Sequence, residues 1–134
     1  SKKIVAGGGA IEAELYKELN KFAKQMHGKE QIVVEEFARS FLIIPKTLCE
    51  NSGLDEIEVI ANLVSNHERK LDKSGIDGLY GVVEDTMRKR IVEPINVKEQ
   101  AIKSATEIAS MILRIDDIIA ARKLNRNSVQ GDDF

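Results

Sequence analysis

The sequence predicts a mainly α-helical domain with a small β-hairpin or loop region near residues 75–93. Only two prolines and no tryptophan occur among the 134 residues, while Ala, Ile, Leu, Glu and Lys are abundant, a composition that favours helix. Apolar residues recur at steps of three and four over long stretches, as one buried face of a helix requires. Three glycines between residues 75 and 81 interrupt this pattern.

The first half of the chain divides into three predicted helices. The first follows the glycines of "VAGGGAIEAEL" and closes at Gly28, which can adopt a left-handed cap conformation. Pro45 lies inside the apolar stripe of the second helix, so it should kink that helix or divide it in two. Gly53 can then cap the outgoing helix and Asp55 the third, which we expect over residues 56–70.

The second half begins with a break in the helical pattern. The stretch "DKSGIDGLYGVVED" fits a short hairpin or a loop that lines a ligand, and "TMRKRIVEPINV" predicts a turn of helix followed by an extended segment before Pro94. The longest helix starts at Val97 and is apolar on more than one side, which is typical of a core helix. We expect one domain over residues 1–121 and a flexible polar tail over 122–134.

Composition excludes several classes of partner. The 22 acidic and 20 basic residues nearly cancel, so no large one-signed field would attract nucleic acid or anionic lipid. No apolar run approaches the roughly 18 residues of a membrane-spanning helix, and the apolar N-terminal stretch is too short for a signal peptide. The single Cys49 cannot form an intrachain disulfide. These features favour a soluble cytoplasmic protein that binds neither nucleic acid nor membrane.

The glycines at positions 7–9 are the first candidate site. A glycine turn that leads into a helix offers free backbone amides and the positive end of the helix dipole, which suit a phosphate or a ribose. However, "GGGA" matches neither the P-loop nor the dinucleotide fingerprint, and no strand of useful length is predicted before it. The local pattern alone therefore favours a plain helix entry or close packing over ligand contact.

Isolated polar residues give weaker signals. His27 and His67 have no second histidine or cysteine at metal-ligand spacing, and we expect His27 to be a helix-end residue. Cys49 has no histidine base nearby in sequence, so we expect a small buried or half-buried residue instead of a nucleophile. Asp116 and Asp117 point about 100 degrees apart on a helix, so a salt link to Arg114 or to another subunit is favoured over catalysis.

A series of motifs has a more specific meaning. The stretches "VAGGGAIEAEL", "GKEQ", "FARSFLIIPKTLCENSGLD", "GID" and "VEPINVKEQAIKSATEIASMILRIDDII" occur in this order between Ile4 and Ala121. Together they closely resemble the C-terminal part of a subunit of the group II chaperonin family, which includes the archaeal thermosome and the eukaryotic cytosolic chaperonin. The resemblance implies one half of a helical equatorial domain, the part of such subunits that binds ATP and makes contacts within and between two stacked rings.

The resemblance also implies a nucleotide site and reverses the preference for plain packing. The residues that match positions beside the nucleotide are Gly7, Gly8, Gly9, Gly75, Ile76, Asp77 and Glu93. The first three match positions near the ribose and phosphates, the next three lie against the base with Ile76 covering it, and the acidic residue before the proline contacts the ribose hydroxyls. From spacing alone, Glu93 would be interpreted as a solvated loop charge.

Several parts of the family pattern are absent from the chain. It contains no "GPKG"-like or "GDGTT"-like phosphate loop and no "DAL"-like segment with its catalytic aspartate. The resemblance therefore implies that Mg²⁺ is bound elsewhere in the subunit, and that the chain alone does not hydrolyse ATP. Implied partners are other chaperonin subunits in a double ring and, through a missing apical domain, unfolded client proteins. A missing half would also leave apolar surface exposed, which favours self-association.

Two other function classes remain open at this stage. One is a helical protein-interaction module with no nucleotide role, in which the glycines are a linker and the apolar excess of the last helix meets a partner. The other is an enzyme that uses Glu93 with Asp77, although no base, metal cluster or nucleophile in the sequence supports it.

Overall fold

A computed structural model describes residues 3–130, except for the side chains at positions 105, 108, 109, 112, 113, 115–117, 120, 129 and 130. The elements follow one another as β1 (Ile4–Ala6), α1 (Ala10–Ala23), α2 (Gly28–Ser40), α3 (Ile43–Ser52), α4 (Glu56–Glu68), β2 (Ser74–Asp77), β3 (Val82–Asp85), β4 (Val92–Pro94) and α5 (Ile95–Gln130). The predicted mainly helical architecture is confirmed.

The boundary between α3 and α4 forms as the local sequence predicts. Gly53 adopts a left-handed conformation with φ 66° and ψ 29° and ends α3. The Asp55 carboxylate accepts hydrogen bonds from the amides of Ile57 at 3.1 Å and Glu58 at 3.3 Å. These are two of the amides that a helix N-terminus cannot satisfy by itself, so Asp55 fixes the start of α4.

The predicted second helix is divided, and Pro45 lies in the first turn of its second part, α3. Proline is tolerated there because its missing N–H is not needed in the first turn. Gly28 has the expected left-handed φ of 66°, but the prediction that it closes the first helix is wrong. Helix α1 already ends at Ala23, and Gly28 is the first residue of α2.

Two small antiparallel sheets interrupt the helices. In the predicted hairpin, Ser74 pairs with Asp85 and Asp77 with Val82. The sequence did not predict β1, which pairs with β4, because a strand of three residues is too short for an alternating pattern. The predicted turn of helix after the hairpin is wrong: residues 86–90 form a turn, closed by the Ile91 amide donating to Thr86 O at 2.9 Å.

One hydrophobic core holds residues 1–99 together as a compact unit. Its buried members come from α1, α3, α4, β2 and the α2–α3 junction and are Ala13, Leu42, Cys49, Val59, Ile60, Leu63 and Ile76. The prediction that Cys49 is buried is confirmed. The core places the start of α1 directly beside the hairpin, since both elements contribute to it.

The second unit, residues 100–134, consists of the remainder of α5 as far as it is described. Met111, Ile118 and Ile119 are at least half exposed. Of these three, Ile119 belongs to the apolar steps on which the core-helix prediction rests, and its exposure contradicts the prediction at that position. The side chains at positions 105, 108, 109, 112, 113 and 115, which also carry the prediction, lie outside those described. Helix α5 continues to Gln130, past the predicted domain end at residue 121, and the flexibility of the tail stays a prediction. The predicted contacts of Asp116 and Asp117 lie outside the described side chains.

Across the described residues, no helix combines the length and the apolar character needed to cross a membrane.

Candidate functional site

The glycine turn at residues 7–9 is bound to two other segments of the chain. The Gly7 amide donates a hydrogen bond to Ile91 O at 2.8 Å, just before β4. On the other side, the Ile76 amide of β2 donates to Gly8 O at 2.7 Å. Gly9, with φ 82°, then leads into α1. The structure therefore brings the predicted glycine turn, the predicted base-contacting segment and the approach to Glu93 into one place.

Close packing explains why these positions are glycine. A Cβ atom on Gly8 would lie 2.4 Å from Ile76 O, and one on Gly75 would lie 2.2 Å from Gly7 O. A Cβ on Gly9 would lie 2.8 Å from the Cβ of Pro45. Cβ atoms in proteins essentially never come this close to other heavy atoms. The backbone of the turn can therefore pack against the hairpin and α3 only if these positions carry no side chain. This requirement is internal to the chain and exists whether or not a ligand approaches.

Thr86 is a site residue that the sequence did not predict. It is fully buried, and its Oγ1 lies 2.9 Å from Gly7 O and 3.2 Å from Lys73 O. Both partners are carbonyl oxygens, so the single hydroxyl proton is shared between them, with the shorter contact to Gly7 O. Thr86 therefore fixes the carbonyl of the glycine turn against the end of the hairpin. Nothing in the local sequence marks it, because its partner Gly7 lies 79 residues away.

Glu93 belongs to a charged cluster with Lys98 and Glu12. The Lys98 ammonium contacts Glu12 Oε1 and lies 2.7 Å from Glu93 Oε2. Burial lowers the pKa of Lys98, but its hydrogen bonds to the two carboxylates outweigh this effect and the pKa is raised. The Lys98 side chain thus stays charged. The Glu93 side chain is 39% exposed, but its Oε2 is buried, so Oε1 is the oxygen able to accept hydrogen bonds from ligand hydroxyls.

Asp77 stabilises the tip of the hairpin. Its carboxylate accepts hydrogen bonds from the amides of Leu79 at 3.0 Å and Tyr80 at 3.3 Å. Burial raises the pKa of Asp77, but the bonds from Tyr80 and Leu79 and an interaction with Glu84 more than offset this, so its pKa is lowered. An ionised Asp77 that is already bonded to its own loop is a structural acceptor. Asp77 and Glu93 lie on different sheets, and among the described residues no hydrogen bond joins their carboxyl groups.

Ile76 is directed into the core. Its side chain is only 3% exposed and packs with core residues of α1, α3 and α4. This placement does not favour the Ile76 side chain as the cover for an adenine base. Leu79 and Tyr80 at the hairpin tip, in contrast, are 85% and 70% exposed.

His67 is a second residue whose role was missed. It is fully buried in α4, where its Nδ1 lies 2.5 Å from Glu14 Oε2 of α1 and its Nε2 lies 2.8 Å from Ser74 O of β2. Burial raises the pKa of Glu14, but hydrogen bonds to His67 and Lys17 outweigh this and the pKa is lowered. His67 thus connects three elements around the site.

The lowered pKa of Glu14 predicts sensitivity to acid. A carboxylate with a lower pKa in the folded state stabilises the fold above its ordinary pKa near 4.5, and this contribution is lost as pH falls through the folded value. We expect Glu14→Gln to lower the free energy of unfolding by about 1 kcal/mol at neutral pH, and by less in acid. Urea unfolding at several pH values measures this. Glu18→Gln, which also removes a Lys17 contact, is the control, and an equal loss at every pH would contradict the prediction.

The remaining candidates show no catalytic arrangement among the described residues. Burial raises the pKa of the Cys49 thiol, helped by the charges of Glu56 and Glu50, so the thiol stays neutral. His27 precedes α2 as its N-terminal cap residue. Among the side chains that the structure describes, which leave out Asp116 and Asp117, no group of three His, Cys, Asp or Glu is arranged as a metal site. A cleft of about 650 Å³ lies between α4 and the hairpin and includes none of the predicted site residues.

Comparison with known proteins identifies the family. Residues 1–123 match the model of the TCP-1/cpn60 chaperonin family. The thermosome subunits of Pyrococcus abyssi and Methanopyrus kandleri are 51% and 52% identical to the chain over 124 residues, which is 92% of this chain and 22% and 23% of theirs. A solved structure, the open state monomer of a group II chaperonin from Methanococcoides burtonii, superposes with a TM-score of 0.75 at 40% identity, over 84% of this chain and 28% of that one.

The chain thus spans less than a quarter of the length of these two thermosome subunits. The matched range covers all of the motifs, from the glycine turn to the end of the last motif at Ile119. The family assignment predicted from those motifs is confirmed: the chain belongs to the TCP-1/cpn60 chaperonin family.

Proposed function

We propose that the chain is one half of the equatorial domain of a group II chaperonin subunit, and that it forms the ribose and base side of an ATP site. The observation that carries this proposal is the joining of the glycine turn to both the Gly75–Asp77 segment and the start of β4, where Glu93 lies. These segments are far apart in sequence, yet they meet at the N-terminus of α1, where backbone amides and the helix dipole favour an anionic ligand.

The residues present fit a nucleotide in specific ways. The three glycines put bare backbone beside the start of α1, so a sugar or phosphate can approach without meeting a side chain. Glu93 adds a part-exposed carboxylate next to Gly7. The two residues are so close that a Cβ atom on Gly7 would lie 3.4 Å from Cγ of Glu93. A carboxylate in this position can accept hydrogen bonds from two ribose hydroxyls. ATP, when bound, would supply the phosphoryl group whose transfer powers the subunit.

Further parts of the proposal concern the whole subunit. We assign Mg²⁺ binding and the catalytic aspartate to parts of the subunit outside this chain, so the chain alone does not hydrolyse ATP. Other chaperonin subunits in a double ring are the proposed partners, and unfolded proteins are the proposed clients of an apical domain. The family membership and the high identity to thermosome subunits support this role.

Discrimination between ATP and 2′,3′-dideoxy-ATP tests the ribose contact. In the full-length subunit that contains this chain, we expect ATP to bind roughly tenfold more tightly than the dideoxy analogue, because hydrogen bonds to a charged group contribute about 1.5–3 kcal/mol. Glu93→Gln removes the charge but keeps a neutral acceptor, so this ratio should fall to about threefold. Calorimetric titration of both nucleotides measures the ratio, in which any general loss of stability cancels.

Glu36→Gln is the matched control, because it removes a carboxylate that pairs with Arg39 at 2.7 Å on α2, an element that contributes none of the predicted site residues. This variant should keep the wild-type ratio. A wild-type subunit that binds both nucleotides equally, or a Glu93→Gln variant that keeps the full wild-type ratio, would contradict the proposed ribose contact. A subunit that binds neither nucleotide would overturn the ATP site itself.

A further inference from the structure

The hydrogen-bond partners of the His67 ring determine its protonation state. The ring is fully buried and both of its nitrogens have a polar partner. Nδ1 faces the Glu14 carboxylate at 2.5 Å and Nε2 faces the Ser74 carbonyl at 2.8 Å. A neutral imidazole has one donor and one acceptor, whereas the protonated ring has two donors.

Both partners of the ring are acceptors. The Ser74 backbone oxygen can only accept, so Nε2 must carry a proton. Glu14 is ionised at neutral pH because its pKa is lowered, so its oxygen also accepts and Nδ1 must carry a proton as well. A neutral ring would place a bare nitrogen against an oxygen lone pair in a fully buried position, which is costly.

We propose that His67 is a doubly protonated cation that fastens α1 and β2 to α4, and that it is a positioning residue for the nucleotide site. The second part rests on the proposed function. Ser74 immediately precedes the Gly75–Asp77 segment, and Glu14 lies in α1 little more than one turn after the glycine turn. The ring therefore holds the two sides of the site at a fixed separation, in parallel with the direct backbone contact between them.

The charges around the ring are compatible with a cation there. On α1, Glu14 faces the ring through Oε2, while its Oε1 binds the Lys17 ammonium at 2.5 Å, and Lys17 also contacts Glu18 at 3.3 Å. On β2 the contact is the neutral Ser74 carbonyl. Within residues 3–99, no side chain of α2, α3 or β3 makes a hydrogen bond or ion pair with the ring. Glu14 is thus the charge that balances the ring.

Nitrogen-15 NMR of the histidine rings tests the protonation state directly. At about pH 7.5, above the ordinary histidine range near 6.5, both ring nitrogens of His67 should show the shifts of protonated nitrogens. His27 is exposed, and its ring signals in the same spectrum are the internal reference for those of His67. A neutral ring at His67 would overturn the proposal.

Glu14→Gln separates protonation from folding. The new amide can donate to a bare Nδ1 while Nε2 still donates to Ser74 O, so the packing is kept and the ring should become neutral at about pH 7.5. Glu18→Gln should leave the ring doubly protonated. A doubly protonated ring in Glu14→Gln would show that the Glu14 carboxylate does not hold the second proton on His67. This result would overturn the proposed ion pair between Glu14 and His67.

ATP affinity of the full-length subunit tests the positioning role. We expect Glu14→Gln to weaken ATP binding about fivefold at pH 7.5. We also expect the ATP affinity of the wild-type subunit to fall towards that of the variant at the alkaline pH where the NMR signal of His67 shows loss of its second ring proton. The variant's own affinity should change little over this range, which a merely structural role would not predict. Unchanged ATP affinity in Glu14→Gln would overturn the positioning role of His67 and leave the proposed ATP site intact. A wild-type subunit that binds no ATP would overturn the proposed function and leave the assignment of a doubly protonated His67 ring intact.

Discussion

Gly75→Ala is expected to destabilise the fold by about 3 kcal/mol or more. The new Cβ would lie 2.2 Å from Gly7 O and 2.8 Å from two side-chain atoms of Thr86. Neither neighbour can yield, since Gly7 is fixed through its own backbone bonds and Thr86 is fully buried. The glycine turn would therefore have to separate from the hairpin. Urea unfolding followed by circular dichroism measures the loss.

Two other glycines separate the causes of this effect. Gly53 has a positive φ of 66° and nothing within 4 Å of its missing Cβ, so Gly53→Ala should cost only about 1 kcal/mol of backbone strain. Gly8 combines the same φ with a Cβ position 2.4 Å from Ile76 O, so Gly8→Ala should cost about 4 kcal/mol or more. Equal losses at Gly53 and Gly75 would contradict the importance of the close approach.

This result matters for any test of the nucleotide site. Substituting Gly8 with a large residue such as arginine looks like a direct way to block a ligand. In this structure the same change would break the contact between the turn and β2, so a loss of ATP binding would follow even if no nucleotide touched Gly8. Glu93 is the better probe, because its carboxylate is part-exposed and its backbone position is kept in Glu93→Gln.

Lys98→Met is expected to lower the free energy of unfolding by about 3 kcal/mol. Methionine keeps the apolar stem of the side chain but removes the ammonium that contacts Glu12 and Glu93. Glu12 is 4% exposed, and its Oε2 already has no hydrogen-bond partner among the described residues. An unpaired carboxylate would then be buried in α1. Thermal and urea unfolding at neutral pH measure the cost.

The double variant Glu12→Gln with Lys98→Met is the control. It removes the stranded charge together with its partner, so most of the stability should return, because replacing both members of a buried pair is far less costly than removing one. If the double variant is as unstable as Lys98→Met, the loss comes from packing and the prediction is wrong.

Local signals in the sequence were sufficient for much of the fold. The glycine and aspartate at 53 and 55, the proline at 45 and the glycine cluster of the hairpin each act on the backbone of their own neighbours, and the structure shows the boundaries they predict. The position of Gly28 was misjudged by a few residues, since helix ends depend on tertiary contacts as well as on local preference. The short β1 strand exists only through its pairing with β4.

The site residues that were missed all depend on distant partners. Thr86 binds a carbonyl 79 residues away, His67 a carboxylate 53 residues away and Lys98 a carboxylate 86 residues away. Periodicity and spacing report neighbours along the chain, so they could not single out these three. The local pattern marked the glycine turn and the hairpin loop, but their nucleotide roles and that of Glu93 came from the family resemblance, and these roles stay predictions.

The long separation between Thr86 and Gly7 has a consequence for how the domain folds. A loop of this length must close before the hydroxyl can reach the carbonyl, and loop closure costs entropy before any contact repays it. Helices α1 to α4 can form from local contacts while the chain is still growing on a ribosome, but the glycine turn cannot complete its bonds until residue 91 has emerged. The glycine turn at residues 7–9 is therefore among the last parts of this domain to reach its final structure.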